Sequence, residues 1–248
     1  MSMKKVVVTG LGALAPNGNS VEQFWSAIKL GNSGIAPISY FDTSGHRVSI
    51  AGELKNFDPA QQLDPKEVRK LDPFSIYAMV SSMEAVKSAK LDLQNLNLDR
   101  AGVIIGCGIG GIKTLENEHS IINNKGARRV SPQFVAKMIP NIAGGHLSMR
   151  FGFKGPSQTV ISACASSNDA IGIALRLIRY GDADVILTGG TEASITPLTI
   201  AGFANMRALS QNCDNPTKAS RPFDANRDGF VLSEGAGMIV LESEEHAL

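Results

Sequence analysis

VISACASSNDAIG, residues 160–172, starts as an extended β-branched segment, passes through small residues and becomes helical. A short strand is expected over 158–163. A helix capped by Ser167 or Asn168 then runs to Tyr180, and Gly181 stops it. A strand that turns sharply into a helix has the layout of a nucleophile elbow, and Cys164 stands at the turn. Its small neighbours Ser162, Ala163, Ala165 and Ser166 leave room for a substrate to approach the sulfur. The free N–H groups of a first helical turn and the helix dipole favour negative charge there, and the same groups suit an oxyanion. Spacing alone leaves open the commoner fate of a single cysteine, an inert buried thiol. Residues 169–180, DAIGIALRLIRY, are apolar on most faces until Arg176, so this helix is expected to be buried on both sides.

Outward from this unit, further strands are expected at Val6–Thr9, Ala101–Gly106 and Val185–Thr188, with a last extended segment over 230–241. Ser20 opens a helix with Gln23 as its capping-box partner, and Gly31 ends it. Asp72-Pro73 and Thr196-Pro197 each place a cap before a proline at the first helical position. Residues 107–156 are rich in glycine and short helices: Ser131-Pro132 opens one, Pro140 breaks it, and Asn141 caps the next. This stretch reads as an insertion packed on a sheet. Strands alternating with helices point to an α/β fold.

The 248 residues suffice for a sizeable core. Hydrophobic residues make up 43% and charged residues 19%, a globular composition. The net charge of +1 excludes a bulk nucleic-acid binder but not a local basic patch. Cys107, Cys164 and Cys213 form no readable disulfide framework, so a reducing compartment is expected. MSMKKVVVTGLG has no h-region, and no apolar run is long enough to span a bilayer, so the expected location is the cytoplasm, without a membrane.

Three other motifs compete for attention. Gly10-x-Gly12-x-x-Ala15 and Gly106-x-Gly108-x-x-Gly111 both follow strands, as dinucleotide fingerprints do. The first runs into a Pro16-Asn17-Gly18 turn rather than a helix, and the second lacks a well-placed acidic partner for a ribose. Asp224-x-Asn226-x-Asp228-Gly229 opens like a calcium loop, but Gly235 occupies the place of the required glutamate. A salt-bridged turn of Arg221, Asp224, Arg227 and Asp228 is the simpler reading. His46, His119, His146 and His246 show no metal-binding spacing, so no metal site is expected.

The stretches at 6–18, 41–58, 106–112 (GCGIGGI), 162–172 (SACASSNDAIG), 181–193 (GDADVILTGGTEA) and 221–242 together resemble the β-ketoacyl-acyl-carrier-protein synthases, in particular the elongating enzymes of bacterial fatty-acid synthesis. Ser233 stands where that family often has glycine. The resemblance implies a thiolase-like fold. Residues 1–248 would be its N-terminal half, a mixed sheet with helices on both faces and the cysteine at the start of a buried helix. The resemblance places two histidines, a lysine and a gating loop in a C-terminal half, outside this chain. The final residues, SEEHAL, read as a first helical turn without a C-cap, so the chain is expected to be cut there.

The resemblance also implies a chemistry. Cys164 would take an acyl chain from acyl-carrier protein as a thioester and pass it to malonyl-carrier protein with loss of carbon dioxide. Ile109 and Ala163 would line the acyl pocket, and Phe134 would reach the partner's pocket across a homodimer. The strand at 101–106 would be the dimer edge. Lys66, Arg69, Lys70, Arg128, Arg129 and Arg207 would dock the acidic carrier, although a solvated basic face is the usual fate of any one of them. No cofactor is implied beyond the carrier's phosphopantetheine. Two other readings remain: a non-condensing chain-length partner subunit, which typically lacks the nucleophile, and a nucleotide-binding oxidoreductase.

Overall fold

In chain order the elements are β1 (Val6–Leu14), α1 (Val21–Lys29), β2 (Ala36–Pro37), β3 (Ile50–Ala51), α2 (Pro65–Val68), α3 (Pro73–Ala89), β4 (Ala101–Gly106) and α4 (Ile112–Lys125). There follow α5 (Phe134–Met138), α6 (Ile142–Phe151), β5 (Ser157–Val160), α7 (Ser166–Arg179), β6 (Val185–Glu192), α8 (Pro197–Asn205), β7 (Gly235–Ser243) and α9 (Glu244–Ala247). They come from a computed structural model that describes residues 3–248.

The main sheet has the order β1-β7-β6-β4-β5. β4 runs parallel to both β5 and β6, while β7 is antiparallel to β6 and β1. All six residues of β4 are buried, which explains its unbroken apolar sequence: both of its faces are covered. α3 and α6 pack on one face, around Phe74, Met79, Val103, Ile105 and Leu147. α7 packs on the other, with Ala170, Ala174 and Ile178 against Ile104 and Ile186. Each fully buried aliphatic side chain contributes about 1.5–3 kcal/mol relative to exposure. The layers are therefore helix, mixed sheet, helix, as the α/β reading requires.

Four expectations change. First, the strand at 101–106 cannot be a pairing edge, because β5 and β6 occupy both of its sides. The outer strands are β1 and β5. Second, the helix buried nearly all round is α3, in which Phe74–Ser82 are all buried. α7 buries only the stripe Ser166, Ala170, Ala174 and Ile178, and Gly172, Arg176 and Arg179 on its other side are exposed. Third, the stretch 107–156 is not uniform. α4 and α5 bury no residue, whereas α6 places Ala143, Gly144 and Leu147 in the core. Fourth, β1 does not stop at Thr9 but continues through Gly10 and Gly12 to Leu14. A Cβ at Gly10 would lie 2.1 Å from the Ala85 carbonyl oxygen, and one at Gly12 1.8 Å from that of Ser81. These glycines let α3 lie against the strand; they form no phosphate loop.

A candidate active site at the start of α7

The glycine ends of two buried strands decide where α7 begins. A Cβ on Gly106, at the end of β4, would fall 2.4 Å from the Ser166 carbonyl carbon, and one on Gly190, in β6, 1.8 Å from Ser167 Oγ. Without side chains there, the first turn of the helix seats directly on the sheet. The preceding turn is fixed by Ser166, which is 4% exposed. Its hydroxyl accepts from the Ser162 N–H at 2.9 Å and donates to the Ala163 carbonyl at 2.7 Å. Ala163 is held at φ +52°, a conformation L-residues seldom adopt, and this bends the chain between β5 and α7. Ser162 Oγ also donates to Asp169 in the first turn of the helix. The helix starts at Ser166, not at Ser167 or Asn168, and no side chain caps it.

Cys164 stands at the crest of this bend, free and exposed. It is not the inert buried thiol. That description belongs to Cys107, which is 1% exposed. Burial, and then the Glu192 carboxylate, push the Cys107 thiol up to about 12.

The Gly106–Gly111 turn borders the same site. Cys107 N–H donates to the Val160 carbonyl at 3.2 Å, and a Cβ at Gly108 would lie 3.9 Å from the Ala163 oxygen. Glu192, the last residue of β6, accepts from the N–H groups of Gly108 at 2.8 Å and Ile109 at 3.0 Å through one oxygen. Those are the donors a nucleotide phosphate would need in a glycine fingerprint. A carboxylate already holds them, so the dinucleotide reading fails at its second motif too. Ile109 itself is 40% exposed.

The turn that carries Ile109 thus borders the bend that carries Ala163 and Cys164. Phe134, half-buried at the start of α5, is linked to them through backbone: Gly111 N–H donates to the Met138 carbonyl at the end of that helix, 3.0 Å away. Lys66, Arg69 and Lys70 are exposed on α2 and the turn after it. Lys137 of α5 donates to the Arg69 carbonyl at 2.6 Å, and Arg150 of α6 pairs with Glu67 at 3.4 Å. These bonds tie the basic turn to the helices beside the site. Arg128 and Arg129 are exposed in the 3₁₀ turn between α4 and α5. Arg207, also exposed, lines an open basin with Arg221, Phe223, Arg227 and Phe230. The 221–228 segment is the expected salt-bridged turn, with Arg221 and Asp228 3.0 Å apart.

The sequence reading missed Glu192 and the seating role of Gly190, whose signal was the run of small residues in β6 followed by a carboxylate, LTGGTE, and it took Gly106 only as part of a glycine fingerprint. It also missed a buried carboxylate, Glu234, which accepts from Tyr40 and Tyr77 hydroxyls and from Leu54 N–H. Burial and this carboxylate raise both phenols above their ordinary values, so they remain donors.

Residues 3–247 match the family model described as "Beta-ketoacyl synthase, N-terminal domain". A relative from Synechocystis sp., 3-oxoacyl-[acyl-carrier-protein] synthase 2, is 47% identical over all of this chain and 60% of its own length. A protein of the same name from Staphylococcus aureus is 50% identical, over 98% of this chain and 59% of its own. The chain therefore spans about three-fifths of the length of these curated relatives. Among solved structures, the ishigamide ketosynthase/chain length factor superposes with a TM-score of 0.90 at 28% identity, covering 99% of this chain and 60% of that one. A β-ketoacyl synthase from Burkholderia phymatum gives 0.86 at 29% identity, over 99% of this chain and 60% of that one. A type II PKS ketosynthase in complex with its acyl-carrier protein gives 0.80 at 29% identity, over 99% of this chain and 64% of that one.

Proposed function

The chain belongs to the β-ketoacyl synthases through their N-terminal domain, and from that premise we propose that it supplies the acyl-accepting half of a condensing enzyme of fatty-acid elongation. Cys164 Sγ attacks the carbonyl carbon of an acyl thioester on acyl-carrier protein. The new carbon–sulfur bond forms as the carrier's thiol leaves and takes up the proton. Malonyl-carrier protein then loses carbon dioxide, and its carbanion attacks the acyl carbon. The Cys164 sulfur leaves, and the carrier holds a β-ketoacyl chain two carbons longer. The observation that carries this reading is the exposed Cys164 on a bend seated over Gly106 and Gly190.

Ala163 and Ile109 line the acyl chain. Phe134 serves the pocket of a second copy. The edge that pairs two copies is β5 rather than β4, since β5 has a neighbour on one side only. The exposed side chains of Lys66, Arg69, Lys70, Arg128, Arg129 and Arg207 receive the acidic carrier. No cofactor takes part beyond the carrier's phosphopantetheine. In this reading decarboxylation falls to the two histidines that the family resemblance places in a C-terminal half. A cytoplasmic setting is part of this reading, supported by the three free cysteines; among the described residues no helix is long and apolar enough to cross a membrane.

Intact-mass measurement after incubation with acyl-carrier protein carrying an acyl chain tests the first step. The protein should gain one acyl group, Cys164→Ala should gain none, and Cys213→Ala should gain it as before. Acylation of Cys213 instead, with uptake intact in Cys164→Ala, would refute the assignment.

A further inference from the structure

We propose that Glu192 is a positioning residue that sets acyl chain-length selection: by holding the Gly108 and Ile109 N–H groups, it fixes where the Ile109 side chain stands. This rests on the acyl-pocket role given to Ile109 above.

The Ile109 side chain is two-fifths exposed and belongs to no packed core cluster. Its place is therefore decided by its backbone rather than by packing. On one side of it, Glu192 Oε2 takes two N–H bonds at 2.8 and 3.0 Å. On the other side, the chain passes through Gly110 at φ +80°, and Asp72 takes the Thr114 N–H at 3.2 Å and its hydroxyl at 2.6 Å. The stretch 109–114 thus hangs between two carboxylates.

The two anchors differ in what carries them. Asp72 caps α3, whereas Glu192 ends β6, a strand with neighbours on both sides. Only the Glu192 anchor reaches Ile109 itself. It also fits closely: a Cβ at Gly108 would lie 2.8 Å from Glu192 Oε2. The same Cβ would lie 3.9 Å from the Ala163 oxygen, so residue 108 adjoins both the carboxylate and the backbone next to Cys164.

Two readouts on the full chain test this. The first is hydrogen exchange at the Gly108 and Ile109 amides. The second is the ratio of Cys164 alkylation rates by N-decyl and N-ethyl iodoacetamide. Glu192→Ala should speed exchange at both amides at least tenfold and raise the decyl-to-ethyl ratio at least threefold. Glu192→Gln, whose amide oxygen can accept the same two bonds, should restore both readouts close to the parent. Gly108→Ala displaces the carboxylate without removing it and should move the ratio in the same direction, which keeps the test open if Glu192→Ala fails to fold. Ile109→Ala should raise the ratio as well. If Ile109→Ala raises it and the Glu192 and Gly108 variants do not, the proposal is overturned and the pocket role of Ile109 stands. If Ile109→Ala leaves it unmoved, the pocket reading fails and takes the proposal with it.

Discussion

Gly190 and Ser167 approach so closely that a methyl group on the glycine would lie 1.8 Å from the serine Oγ. The contact joins the middle of the sheet to the first turn of α7, three residues beyond Cys164. Gly190→Ala must lift that turn or displace the hydroxyl. Overpacking of this kind costs about 1–3 kcal/mol. Thermal unfolding should show a lowered Tm. Iodoacetamide should modify Cys164 more slowly, while modification of Cys213 stays at its parent rate.

Cys107 makes stability fall in alkali. In the folded protein its thiol keeps its proton up to about 12, against 9.0 when unperturbed. Between these values the unfolded chain binds fewer protons than the folded one, so stability declines as pH rises through that window. Urea unfolding at pH 8, 9, 10 and 11 should show the decline. Cys107→Ala should flatten it, at the cost of a lower stability at pH 8.

Asp184 works at the other end of the scale. The Arg100 guanidinium, bonded to it together with Lys4, holds its carboxyl down at about 2. A carboxylate with a depressed value stabilises the fold above its unfolded value of 3.8 and loses that contribution as pH falls toward 2. Asp184→Asn should therefore lower Tm at pH 6. The gap between variant and parent should shrink as the pH is taken to 2.

These responses also show which parts of the molecule could be read from sequence. β4 was legible because a strand covered on both faces needs apolar residues throughout, and 101–106 supplies them. The start of α3 was legible because Asp72-Pro73 is a local cap signal, and its side chain does accept from Phe74 N–H. β1 read short because Gly10 and Gly12 look like a loop until α3 is seen lying on them. Strand order stayed hidden, since pairing is set between segments far apart in sequence, so nothing in 101–106 itself could test the edge role that the resemblance gave it. Cys164 stood out through its neighbours in the chain. Glu192 did not, because the amides it holds are 83 and 84 residues away.

The basic turn offers a test of carrier docking. Exposed charges speed encounter and weaken with salt. Lys66→Glu combined with Lys70→Glu should raise the apparent KM for carrier-bound acyl chains several-fold at low salt, and the difference should narrow at high salt. Transfer from a small acyl thiol should be unaffected. An equal loss on both donors would remove these residues from the docking surface.

Acylation and condensation should separate in these 248 residues. Loss of a single donor to a developing oxyanion typically costs about a hundredfold or more. The expected outcome is an acyl-Cys164 species without β-ketoacyl product when malonyl-carrier protein is added. Steady condensation by the chain alone would place the decarboxylating groups among residues given no such role here.

β5 has only four residues and a neighbour on one side, and the bend that carries Cys164 starts directly after it. A strand paired with that open edge would hold the backbone that leads into the bend. Dilution then becomes a chemical variable: if two copies zip together along β5, the reactivity of each thiol depends on how much protein is in the tube.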